Sequence, residues 1–97
     1  MTLFDKVVVL AEVMARQIGE ETVILDLKSG AYFGLEAVGS RIWELLAAGT
    51  TLAEVCETVG GEYDVGREAL ERDVMELAAQ LQREGLLTTT SAEGPAA

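Results

Sequence analysis

Apolar positions along the chain change their period once. Over residues 21–27 they alternate, with Val23, Leu25 and Leu27 on one side and Thr22, Ile24 and Asp26 on the other, which predicts a strand. Lys28, Ser29 and Gly30 then supply a turn, with glycine where positive φ is needed. Residues 31–35, Ala-Tyr-Phe-Gly-Leu, return as a short strand and complete a hairpin. Upstream, the β-branched run at residues 7–10 predicts another strand, and residues 12–18 read as an extended arm before Gly19.

From Glu36 onward the period is helical. Val38, Ile42, Leu45 and Leu46 fall at i, i+4, i+7 and i+8 with Trp43 beside them, and Gly49 ends this first helix. Thr51 and Glu54 have the spacing of a capping box and open a second helix. Its apolar face is Leu52, Val55, Cys56 and Val59, and Gly60-Gly61 is expected to stop it. A third helix over residues 65–84 carries Leu70, Val74, Leu77 and Leu81 in one stripe, Gly85 closes it, and Leu86-Leu87 folds back onto the core. The order predicts an α+β domain of winged helix-turn-helix type: a three-stranded antiparallel sheet followed by three helices, the first two joined by a tight Gly-Thr turn. One domain over residues 7–87 is expected between an N-terminal tail (1–6) and a flexible C-terminal tail (88–97), the latter small, polar and holding the only proline, Pro95.

Charge narrows the function. Seventeen acidic residues against seven basic ones leave the 97-residue chain at −10. Phosphate backbones and anionic lipid surfaces repel such a chain, whereas a basic peptide suits its field. The same acidity also serves solubility alone. The third helix sets Arg67, Arg72 and Arg83 against Glu68, Glu71, Asp73, Glu76 and Glu84, and the second has no base, so neither reads as a DNA-recognition helix. No nucleic-acid partner is expected.

Catalysis finds little support. The chain contains no histidine, and its one cysteine, Cys56, lies on an apolar helix face and reads as core. Acid pairs such as Glu20-Glu21 read as solvated charges, and neither a phosphate-binding loop nor a metal-ligand spacing is present. The expectation is a protein that is not an enzyme and holds no cofactor or metal. The lone cysteine excludes an intrachain disulfide and suits a reducing compartment. The start has no signal-peptide pattern and no run approaches about 18 apolar residues, so a cytoplasmic, non-membrane protein is expected.

Peptide binding remains. A short sheet leaves an edge strand whose free backbone groups accept an added strand. The candidate groove joins Ala31, Tyr32, Phe33, Gly34 and Leu35 on that strand to Glu71, Val74, Met75, Ala78, Leu81 and Gln82 on the third helix. Asp73 and Glu76 join Glu71 at its rim, while Met75, Ala78 and Ala79 equally serve as core cover, and Trp43 and Tyr63 read as core anchors.

Residues 25–87 closely resemble the PqqD-like family of precursor-peptide recognition domains, which serve pathways of ribosomally made, modified peptides. The pattern comprises Gly30 and Tyr32, Leu35, Gly39 with Ile42 and Trp43, Gly49-Thr50, Tyr63, Asp73 and Gly85-Leu86-Leu87. The resemblance implies a non-catalytic adaptor that takes the leader segment of a precursor peptide as an extra strand, between the third strand and the third helix. The arm before the hairpin and the run LDLKSGAYFGL look most similar to stand-alone members of lasso-peptide pathways. Those work with a leader peptidase and a cyclase on leaders bearing Tyr-x-x-Pro-x-Leu. The alternatives are the same adaptor serving a radical-SAM or other maturase, as in quinone-cofactor biosynthesis, and an acidic winged-helix DNA-related regulator. One departure from the pattern is Glu36, where many relatives have Asn, so the first helix is expected to be capped more weakly or differently.

Overall fold

The computed structural model describes residues 2–90. Their elements are β1 (Lys6–Val9), β2 (Val13–Ile18), β3 (Glu21–Asp26), β4 (Tyr32–Leu35), α1 (Ala37–Ala47), α2 (Leu52–Glu62), α3 (Arg67–Arg83) and β5 (Leu87–Thr90). β2, β3 and β4 form an antiparallel three-stranded sheet in that order, and β1 and β5 form a separate antiparallel pair. The α+β class and the three-strand, three-helix plan are as the pattern predicts. The strand membership differs, because the arm at residues 12–18 supplies the sheet's third strand. The valine-rich strand pairs instead with β5, where Val9 lies opposite the buried Leu87 and Val7 reaches the core.

Both chain ends are therefore tied further than the composition suggests. Thr88, Thr89 and Thr90 pair with Val8, Val7 and Lys6, and the rest of the expected tail, residues 91–97, lies outside the described residues. At the other end the carbonyls of Asp5 and Leu3 accept the N–H groups of Leu52 (3.0 Å) and Ala53 (2.7 Å). The capping box completes that helix start: the Thr51 hydroxyl accepts the Glu54 N–H at 3.1 Å and the Glu54 carboxylate accepts the Thr51 N–H at 2.8 Å. The first three N–H donors of α2, which no helical carbonyl reaches, are all partnered in this way. By contrast, Glu36 precedes α1 with no side-chain bond to it, as its departure from the family pattern implies.

α2 does not stop at Gly60-Gly61 but runs through them to Glu62. A β-carbon at Gly60 would lie 3.5 Å from Leu70 Cδ2, an ordinary contact, so Leu70 of α3 packs over this glycine. The expected φ > 0 appears at Gly30 (79°), and Gly49 (91°) and Gly85 (77°) end their helices in the same way. The core joins Ile24, Leu46, Leu52, Val55, Val59, Leu70, Val74, Leu86 and Leu87 with the indole of Trp43. Cys56 is completely buried among them, and burial pushes its thiol pKa up. A buried hydroxyl pair, Thr22 on β3 and Ser40 on α1, fastens sheet to helix and satisfies both polar groups.

Because the capping box closes α2 onto the N-terminal segment, Thr51→Ala should destabilise the protein by about 1 kcal/mol. Urea denaturation should show a lower midpoint with an unchanged slope. An unchanged midpoint would mean that the backbone bonds from Leu3 and Asp5 hold the helix start alone.

Candidate functional site

β4 is an edge strand: it pairs with β3 on one side and with no other strand among the described residues. The register, Leu25 opposite Tyr32 and Ile24 opposite Phe33, together with the bond from Asp26 N–H to the Ala31 carbonyl (2.9 Å), fixes which backbone groups are spent. By antiparallel alternation, Phe33 and Leu35 turn their N–H and C=O groups toward β3, while those of Tyr32 and Gly34 point out along the free edge. Side chains alternate in the perpendicular sense. Phe33 and Leu35, half-buried, face the core with Ile24, and Tyr32, 74% exposed, shares the opposite face with Leu25.

The turn before this strand is ordered by Asp26. Its carboxylate accepts the Lys28 N–H (3.0 Å) and the Ser29 hydroxyl (2.9 Å), and the Ser29 oxygen accepts the Ala31 N–H (3.2 Å). The bond from the Lys28 amide, and then that from Ser29, hold the Asp26 carboxyl below its usual pKa. β4 therefore enters from a fixed turn and leaves directly into α1, so its free edge is held straight between two anchored ends.

Across from β4 stands α3, and here the helix face differs from expectation. Val74 and Ala78 are completely buried, Leu81 almost so, and none offers surface to a ligand. Glu71 is ion-paired with Arg67 at 2.7 Å, and Arg67 also reaches Glu57 of α2 at 3.5 Å, so Glu71 belongs to the α2 side. Met75 and Gln82, four and eleven residues on, follow the same ridge. The α3 residue that points to the start of α1, where Leu35 of β4 also packs, is Leu77. A β-carbon built on Gly39 would lie 3.6 Å from Leu35 and 4.0 Å from Leu77 Cδ2, so both leucines pack beside the start of α1. Helical spacing puts Asp73, Gln80 and Glu84, all exposed, on Leu77's side. The structure thus sets Leu35 of β4 and Leu77 of α3 about the same glycine, with Phe33 on the core side of the strand and Asp73 and Glu84 exposed on Leu77's side of the helix. Leu77 was visible as a member of the helix's apolar stripe. What could not be read was that the stripe's flank, rather than its centre, turns toward the strand.

The family model described as coenzyme PQQ synthesis protein D (PqqD) matches residues 21–87, from β3 to the start of β5. No curated protein matches the sequence. Two solved structures are similar over most of both chains. TbiB1 in complex with the TbiA(beta) leader peptide is 40% identical, with 81% of this chain and 92% of that chain covered and a TM-score of 0.78. A lasso peptide synthetase B1 complexed with the leader peptide is 29% identical, with 86% and 98% covered and a TM-score of 0.79.

The Asp26 turn has a pH signature. Because the carboxyl's pKa is depressed in the folded state, its contribution is present above the ordinary aspartate value near 4 and is lost as pH falls through the folded value. An NMR titration of the Asp26 side-chain carbon should give a midpoint below that of a free aspartate, and Ser29→Ala should move it part of the way back. A midpoint unaffected by Ser29→Ala would remove the hydroxyl from the turn's architecture.

Proposed function

The chain belongs to the PqqD family, and from that premise we propose that it is a non-catalytic adaptor that binds the leader segment of a ribosomally made precursor peptide. The observation that carries the reading is the free edge of β4, with Leu35 of that strand and Leu77 of α3 both set about Gly39 beside it. An incoming extended segment hydrogen-bonds the outward N–H and C=O groups of Tyr32 and Gly34, adding a fourth strand to the sheet. Every second side chain of that segment enters the apolar cleft, lined by Phe33 and Leu35 on one wall and Leu77 on the other. The remaining side chains join the opposite face next to Tyr32. Backbone bonds supply affinity for any extended segment, and the cleft selects apolar residues at alternate positions.

Both solved relatives carry a leader peptide, and one of them is a lasso peptide synthetase component, so this chain is assigned to lasso-peptide maturation. In that role it presents the bound leader to a leader peptidase and a cyclase, and contributes position rather than chemistry. Exposed acids at the cleft mouth, Asp73 and Glu84, favour a leader with basic residues flanking its apolar anchors.

A labelled synthetic leader containing Tyr-x-x-Pro-x-Leu, titrated by fluorescence polarisation, tests the assignment. Gly34→Pro removes an outward N–H at an edge position where proline is tolerated, and Leu77→Asp charges the cleft. Gly34→Pro should weaken binding by roughly fivefold to tenfold, given about 1–1.5 kcal/mol for one backbone bond, and Leu77→Asp by at least as much. Tyr32→Ala, which keeps its backbone groups, should cost less. Variants that stay folded by circular dichroism and keep wild-type affinity would overturn the strand-addition site. Absence of binding by the wild type would shift the assignment to another precursor class.

A further inference from the structure

We propose that β2, the other edge of the sheet, pairs with β2 of a second copy of this chain, joining two sheets about a two-fold axis at Ala15. β2 pairs only with β3 among the described residues, and five of its six side chains are exposed. The Leu27 N–H donates to the Glu12 carbonyl at 2.8 Å, which turns residues 12, 14, 16 and 18 toward β3 and leaves 13, 15 and 17 facing outward. The Val13 N–H is already spent on the Leu10 carbonyl, at 3.1 Å. The free groups are therefore the Val13 carbonyl and both backbone groups of Ala15 and Gln17.

These free groups select one register. With Ala15 opposite Ala15, each Ala15 N–H meets the other's carbonyl and each Gln17 N–H meets the other copy's Val13 carbonyl. On the exposed face Arg16 then lies opposite Met14 and diagonal to Glu12 of the second copy, within reach of a long side chain. Neither Arg16 nor Glu12 forms an ion pair among the described residues. Sliding the axis to Arg16 sets the two arginines face to face, and sliding it to Met14 wastes the strand on the spent Val13 N–H.

Charge and exposure favour a second copy as the occupant. The strand VMARQI carries one base and no acid, in a chain whose formal charge is −10. The strand itself thus adds no acid to the seam, and Glu12 at its start is met by Arg16 of the other copy. Met14 (57% exposed) and Ile18 (60%) lie on the side of the sheet that the helices leave open, so pairing sets both against the other copy's β2. β2 also lacks the proline, lysine or bulge that commonly blunts an edge. The β4 edges stay free at the two far ends of the resulting six-stranded sheet, so this inference does not depend on leader binding.

Sedimentation equilibrium in about 0.15 M salt, at protein concentrations up to about 1 mM, tests the pairing. The expected result is a monomer–dimer equilibrium that Ala15→Pro abolishes. Arg16→Glu and Glu12→Arg should each raise the dissociation constant by roughly threefold to tenfold, and the double swap should restore it. The same variants should bind the synthetic leader with unchanged affinity, which separates failure here from failure of the leader-binding reading. A strict monomer at every concentration, a dimer that Ala15→Pro leaves intact, or growth beyond the dimer would overturn the proposal.

Discussion

A slip of β4 by one residue against β3 would exchange every role on which the site depends. In the observed register Phe33 and Leu35 point into the core side and spend their backbone on β3, while Tyr32 and Gly34 keep theirs for the edge. Shifted by one, the aromatic and aliphatic walls would face solvent and the cleft would be lined by Tyr32 and a glycine. The register is held from both ends. Asp26 fixes the turn that delivers Ala31, and the buried contact between Thr22 and Ser40 fixes the stretch of β3 opposite Leu35 to the helix that follows it. Side-chain hydrogen bonds far from any ligand thus decide which backbone groups a ligand finds.

The opposite wall depends on a longer chain of packing. α3 rests on α2, with Leu70 packed over Gly60. α2 in turn is anchored at its start by carbonyls of the N-terminal segment and by Thr51. The same segment runs into β1, which β5 completes after α3 has ended at Gly85. The position of α3, and with it of Leu77, is therefore set by contacts that involve both ends of the domain.

Periodicity made much of this legible. The hairpin, the turn glycine at positive φ, the capping box and the burial of Cys56 and Trp43 each follow from local rules: alternation, turn chemistry, cap spacing and side-chain size. What escaped was long-range. Val7–Val9 has the same strand pattern as residues 21–25, and nothing local says that its partner is Leu87–Thr90 rather than the hairpin. The arm at 13–18 is mostly exposed, so it lacks the apolar alternation that marks a half-buried strand, although it extends the sheet by a full strand. Gly60-Gly61 looked like a stop because glycine weakens helices, yet burial of Leu52, Val55, Cys56 and Val59 against α1 and α3 outweighs a propensity cost of about 1 kcal/mol per residue. On α3, the stripe Leu70–Val74–Leu77–Leu81 was correctly apolar. Which flank of it meets β4 depends on the angle between α3 and the sheet, and helical spacing carries no information about that angle.

The same geometry explains how a winged-helix frame suits peptide rather than DNA. In a DNA reader the third helix presents bases outward for phosphate and nucleobase edges. Here the helix turns Leu77 toward the sheet, and Asp73 and Glu84 flank it. A duplex brought to this surface would meet carboxylates where it needs cations. An extended peptide added at the proposed edge would meet the outward backbone groups of Tyr32 and Gly34, the apolar side chains of Phe33 and Leu35, and the carboxylates of α3. Only the last of these is sensitive to ionic strength, because the backbone ladder and the buried leucines gain little from long-range charge. On the proposed site, affinity would rest on shape and main-chain pairing, with the acidic surface steering the approach of a basic segment.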